Sequence, residues 1–238
     1  MNPTHRGPLA ATILALCLAS PAWAASDLAI SQVYGGGGNS GAPFNRDFVE
    51  LSAPVAAALA ESLGDDPHAN IRLIRQAMAD HLAALPEASS QLQGMQRILL
   101  SHACSADIVL DLHCDAEAAL HMYALPQHWP QWRSLAAHLN VRVGLLAEDS
   151  GGSSFDESCS SPWLRLARAF PEAAIPPANL ATTLELGSMG DTRVDQAQAN
   201  CEAILGFLAE QGFISGEWPA AHRDGMRRVY PCPQQAPV

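Results

Sequence analysis

A histidine, a glutamate and an Asn–Arg pair are the side chains in this sequence whose settings suit chemistry. His113 follows Asp111 at the end of a short run, Ile108 to Leu110, that is apolar and rich in β-branched residues. Imidazole is the commonest protein metal ligand, and a neighbouring carboxylate often orients it. Two residues apart on a strand, Asp111 and His113 share a face. Glu185 sits inside the apolar-flanked segment ATTLELG, residues 181–187. Burying a carboxylate costs several kcal/mol and raises its pKa, which suits a general base near neutral pH. Asn45 and Arg46 stand side by side in FNRDF, residues 44–48. A guanidinium grips a carboxylate bidentately, and the amide adds a donor. Singly, each has a plainer reading: a hydrogen-bonded histidine at a strand end, a salt-bridged glutamate, a solvated surface pair.

The elements that must position these groups alternate. Strands are expected at Leu28 to Tyr34, from Ile108, at Leu120 to Leu125, at Val141 to Ala147 and at Ala181 to Leu186. Helices are expected from Ser52 to Leu63, then over Ile71, Ile74, Met78, Leu82 and Leu85, ended by Pro86. Others follow over Leu92, Met95, Ile98 and Leu99, from Trp129 to Leu139, from the Ser158–Trp163 stretch to about Phe170 with Pro162 early in it, and over Val194 to Leu208. His68, His81 and His102 are read as structural or exposed. Strands alternating with helices predict an α/β fold with a mostly parallel sheet covered on both faces. In open sheets of this kind ligands sit at the C-terminal strand edge, where His113 and Glu185 emerge.

The formal net charge of the 238 residues is −11, which argues against nucleic acid or anionic lipid as a partner. Residues 1–24 read as a secretory signal: a weakly basic start at His5 and Arg6, the apolar Leu9 to Leu18, and the small-x-small site Ala22-Trp23-Ala24. Export to a periplasmic or extracellular location is therefore expected, and no later stretch is apolar for long enough to span a membrane. Five cysteines would remain after cleavage, an odd number without regular spacing and a poor disulfide framework. The body thus has a cytosolic character behind an export signal. The glycine run Gly35–Gly38 lacks both the Walker pattern and G-x-G-x-x-G, excluding nucleotide binding. The Ser40 neighbourhood lacks the G-x-S-x-G spacing of a serine-hydrolase nucleophile elbow.

With these residues in place, Phe44 to about Leu208 resembles the catalytic domain of the succinylglutamate desuccinylase/aspartoacylase family, relatives of zinc carboxypeptidases. The resemblance rests on FNRDF, DIVLDLHCDAEAALHMY, EDSGGSSFDESCSSPW and TTLELG, in family order. It implies a zinc-carboxypeptidase-like fold and hydrolysis of an amide (or ester) bond in small N-acyl amino-acid-like substrates with one zinc ion. Carried over by residue, it makes His113 the third zinc ligand, Glu185 the base that moves a proton from water to the leaving amine, and Asn45 and Arg46 the holders of a substrate carboxylate. The sequence departs from the family in one respect. The first two zinc ligands belong to an H-x-x-E motif upstream of the Asn–Arg segment, and the histidine found there is His5, within the signal. His121, eight residues beyond His113, is a weaker candidate for recruitment. Residues 26–42 resemble, over fewer than twenty residues, the opening of lamin-tail-like domains in exported bacterial proteins.

The expected organisation is a signal peptide over 1–24, a glycine-rich leader over 25–43, a hydrolase-like domain over 44–212 that is incomplete at both ends, and an irregular tail over 213–238. A missing first strand would leave an open sheet edge and marginal stability unless Leu28–Tyr34 fills its place. The alternatives to a hydrolase are a non-catalytic carboxylate-binding remnant and a fusion product with no selected role.

Overall fold

The computed structural model describes residues 28–32, 46–191, 193–221 and 229–231. The expected signal peptide, most of the leader and Asn45 lie outside the described residues. In chain order the elements are β1 (Leu28–Gln32), α1 (Ser52–Leu59), α2 (Pro67–Ala84), α3 (Gln91–Ala103), β2 (Ile108–Asp115), β3 (His121–Ala124), α4 (Trp129–His138), β4 (Val143–Leu146), α5 (Phe155–Ala169), β5 (Leu180–Ser188), α6 (Val194–Glu210) and β6 (Val229–Pro231).

The sheet runs β1-β2-β5-β3-β4-β6. Its pairings are parallel except for β3 against β5, so the expected mostly parallel α/β sheet is found. β1 pairs with β2 from Leu28 opposite Ile108 to Gln32 opposite Leu112. The leader segment thus covers the sheet edge that loss of a first strand would otherwise leave open.

Strand parity decides which core each side chain joins. Val109 and Ala181 point to one face, where they pack under α1, α2, α3 and α5 through Val55, Ile74, Met78, Leu100, Phe155 and Trp163. Ile108, Leu110, Met122 and Leu184 point to the other, under Trp132 and Leu135 of α4 and Phe207 of α6. Each such side chain, fully removed from water, contributes about 1.5–3 kcal/mol. Asp111, His113 and Glu185 share the parity of Val109 and Ala181, so they belong to the first face.

Local chemistry sets the helix ends. Asp66 caps α2, accepting from the His68 and Ala69 backbone N–H groups, with Pro67 as the first helical residue. Ser90 caps α3 by accepting from Gln93 N–H at 3.1 Å. Buried Asn70 donates to the Gly64 and Ala174 carbonyls and accepts from Gly64 N–H. This grip turns the chain after α1, which ends at Leu59 rather than Leu63.

Other expectations shift. On α3 the inward face is Gln96, Leu100 and Ala103, while Ile98 is 60% exposed; Gln96 turns inward because its amide donates to the Arg46 carbonyl at 2.6 Å. α5 begins at Phe155, before the Ser158–Trp163 stretch, so Pro162 lies in its middle. A mid-helix proline costs roughly 3 kcal/mol, outweighed here by the buried stripe Phe155, Cys159, Trp163 and Leu166. Within the tail expected to be irregular, Val229–Pro231 pairs with β4 as the sheet's other edge, the position where a strand tolerates proline. Among the described residues, no helix is long and apolar enough to cross a membrane.

Candidate functional site

Three adjacent strands set the site by their register. His113 on β2 lies opposite Glu185 on β5, and His121 on β3 lies opposite Glu185 from the other side. Residues directly opposite each other in a sheet project to the same face, so the three form one row, His113–Glu185–His121. One step back runs a second row, Asp111–Thr183–Tyr123. The β2–β5 register shifts between His113 and Asp115, so the ladder is disrupted directly beyond the row.

His113 Nε2 lies 2.8 Å from Asp111 Oδ2. The contact is an ion pair without the alignment of a hydrogen bond. His113 Nε2, both Asp111 carboxylate oxygens and Glu185 Oε2 are buried with no hydrogen-bond partner among the described residues. Asp111 is fully buried and Glu185 6% exposed, so these are costly groups to leave unpaired. Burial alone would lower the His113 pKa, but the Asp111 carboxylate, with Glu185 and Asp156 behind it, outweighs that and raises it. Burial raises the Glu185 pKa, while His113 and His121 pull it back. A carboxyl held protonated longer than usual, between two imidazoles, can pass a proton in either direction.

The first turn of α5 closes the site from above. Ser160 accepts from Ala181 N–H at 2.8 Å and donates to the Asn179 carbonyl at 3.2 Å, fixing the helix to the start of β5. Asp156, one turn earlier, therefore reaches toward Asp111 and His113. It is 7% exposed, and burial with nearby Glu157 pushes its carboxyl up to about 7 despite the Ser154 hydroxyl donating to it at 2.7 Å.

Arg46 is carried in by the segment that precedes α1. Asp47 N–H donates to the Gly152 carbonyl and Phe48 N–H to that of Ser153, so Arg46 lies over the loop leading to α5. A Cβ on Gly152 would sit 3.4 Å from Arg46 Cδ and Nη1, and Gly152 has φ +90°, a conformation that glycine alone adopts readily. Among the described residues the half-buried guanidinium makes no ion pair. Two surface cavities of about 220 and 300 Å³, beside Gln96 and Arg97 and beside His138 and Asn200, are not lined by His113, Glu185 or His121.

Among the described residues, no group of three or more His, Cys, Asp or Glu side chains is placed to hold a metal ion. A catalytic zinc takes three protein ligands and a water. The described residues offer His113 alone in that role, with Asp111 taking its Nε2, so as a set they do not fit the ion. The described cysteines, Cys104, Cys114, Cys159 and Cys201, are free. Burial pushes the Cys104 thiol up to about 12 and Cys159 well above its ordinary value, which leaves both inert.

Of the residues singled out in the sequence, the structure brings His113, Glu185 and Asp111 together, while Asn45 lies outside the described residues. His121, in sequence only a weak candidate, and Asp156, which no sequence motif singles out, also belong to the site. The His121 signal is the alternation of LHMY, which sends His121 and Tyr123 to one face; only the antiparallel β3–β5 register says which face. Asp156 was legible merely as a first-turn acid, and nothing in its spacing announces that α5 turns it inward.

No protein-family model matches the chain, and no curated protein matches it. Solved structures do. A protein assigned to the succinylglutamate desuccinylase/aspartoacylase family from Shewanella amazonensis SB2B is 26% identical with a TM-score of 0.63, over 74% of this chain and 49% of its own. Another so assigned, from Shewanella frigidimarina NCIMB 400, is 23% identical with a TM-score of 0.63, over 75% of this chain and 48% of its own. The chain therefore spans about half the length of these relatives, and within that half the neighbours it resembles are succinylglutamate desuccinylase/aspartoacylase family proteins with a zinc-carboxypeptidase-like fold.

Proposed function

We propose that this chain carries a deacylase-type hydrolase site acting on the amide (or ester) bond of small N-acyl amino-acid-like substrates. The observation that carries the reading is the buried Glu185, held in register beside His113 at the C-terminal edge of β2 and β5. The fold shared with the Shewanella proteins supports it.

In this reading Glu185 takes a proton from water as the water oxygen bonds to the scissile carbonyl carbon. When the C–N bond breaks, the same proton passes from Glu185 to the leaving amine nitrogen. Arg46, with Asn45 beside it in sequence, holds the substrate carboxylate and so fixes the amide against the base. Asp111 orients His113 toward the reacting carbonyl through Nε2, leaving Nδ1 to face it. Zinc, which the resemblance implies, enters no step, because the described residues do not supply its ligand set. Export by residues 1–24 and the division at 43/44 and 212/213 are part of the same proposal.

The test is turnover of a panel of N-succinyl and N-acetyl amino acids by the purified chain, with and without micromolar zinc. Release of free amine supports the reading; no release under either condition ends it. A second reading, a binder that keeps only the carboxylate grip, is favoured by the Arg46 guanidinium, which makes no ion pair among the described residues, and by the lack of a three-ligand group among those residues. It predicts that succinate raises the melting temperature without any turnover.

A further inference from the structure

His121 is unused by the mechanism above, yet it is fixed as firmly as any group in the site. It is 9% exposed. Its Nδ1 lies 2.9 Å from the Ala119 carbonyl, and its ring meets Tyr123 edge-on with centroids 5.3 Å apart and planes at 68°. A carbonyl oxygen can only accept, so Nδ1 carries the hydrogen, and in the neutral ring Nε2 is left with a lone pair. The antiparallel register puts that ring opposite Glu185 on the neighbouring strand, about 5 Å away between β-carbons.

The two imidazoles beside Glu185 are not equivalent. His113 Nε2 lies against the Asp111 carboxylate, whereas His121 is tethered through Nδ1 to the Ala119 carbonyl. Glu185 Oε2 is buried with no hydrogen-bond partner among the described residues. Once it has taken a proton from water, Glu185 becomes an O–H donor that needs an acceptor, and His121 presents the lone-pair nitrogen in the same row.

We infer that His121 is a positioning residue for Glu185, accepting a hydrogen bond at Nε2 from the protonated carboxyl and holding it between the attacking water and the leaving amine. No net proton is gained or lost: the proton stays bonded to Glu185 until the amine takes it. The inference rests on the hydrolase reading, and it adds a residue to which that reading gives no part.

The test uses the full chain and the N-acyl amino acid of the panel that turns over best. His121→Phe keeps a ring of similar size and removes both nitrogens; it lowers kcat about tenfold or more and leaves KM within about twofold. His121→Gln, which restores a polar atom near the Nε2 position, recovers most of the loss. In the Glu185→Gln background His121→Phe costs nothing further, since a residue acting through Glu185 has nothing left to act on. Multiplicative losses, or a raised KM with kcat retained, overturn the inference. A nitrogen-15 imidazole spectrum reads the contact without turnover: an Nδ1-protonated His121 whose Nε2 resonance moves in Glu185→Gln supports it, and an Nε2-protonated or unmoved ring overturns it. If the chain turns nothing over but the ring responds, the hydrolase reading fails while the contact stands.

Discussion

Replacing Asp156 by asparagine removes an ionisable group from a buried part of the site without changing its shape. Burial pushes the Asp156 carboxyl from an ordinary 3.8 up to about 7. Each unit of pKa is worth 1.36 kcal/mol, so the rise of about 3 corresponds to about 4 kcal/mol. The sign follows from proton counting. Below pH 3.8 both folded and unfolded chains hold the proton. Between 3.8 and about 7 the unfolded chain releases it while the fold retains it, so stability falls as pH rises through that window. Above about 7 the whole penalty is present. Asparagine keeps an oxygen to accept from the Ser154 hydroxyl and carries no charge to desolvate. Asp156→Asn is therefore expected to match the parent at pH 4 and to exceed it at pH 8 by roughly 2–4 kcal/mol, a rise in melting temperature of at least about 4 °C for a chain of this size. Urea titrations at the two pH values measure it. Equal stabilities at pH 8, or the same gain at pH 4, would mean that Asp156 is not held neutral by burial.

Other perturbations probe other parts of the molecule. His128, 2% exposed, has its pKa lowered to about 4 by burial; stability is full above the unfolded value near 6.5 and falls by up to about 3 kcal/mol between pH 6.5 and 4, a loss that His128→Phe removes in acid melts. Gly206→Ala adds a methyl 2.9 Å from His138 Nδ1 and 3.1 Å from the Pro219 carbonyl; the roughly 1 kcal/mol gained in helix propensity is outweighed by about 1–3 of overpacking, so the melting temperature drops by a few degrees. Succinate raises the melting temperature of the parent, and Arg46→Ala abolishes that rise while leaving the unliganded midpoint within about 2 °C. A rise that survives in Arg46→Ala removes the carboxylate grip.

How much of this was legible beforehand depended on whether the information was local. The apolar stripe Ile74, Met78 and Leu82 repeats at helical spacing, and the run at Ile108 announces a strand; both are where the pattern places them. Ile98 fits the same periodicity yet is exposed, because the face of α3 is chosen by a distant acceptor, the Arg46 carbonyl. His113 and Glu185 could be picked from local context, a histidine at a strand end and an acid within an apolar strand. Their direct opposition, and the place of His121 on the far side of Glu185, depend on strand order. β5 inserts between β2 and β3, and β3 runs backwards against it, and no residue in either strand encodes that choice by itself. The inward turn of Asp156 has the same origin, in the Ser160 anchor on β5.

Hydrolysis at this site depends most directly on the proton carried by Glu185. The decisive measurement is kcat for the best N-acyl amino acid of the panel with the parent chain and with Glu185→Gln at matched folding. A fall of about 100-fold or more, with KM little changed, is the result expected when a positioned base is lost. Turnover by Glu185→Gln equal to that of the parent would contradict it.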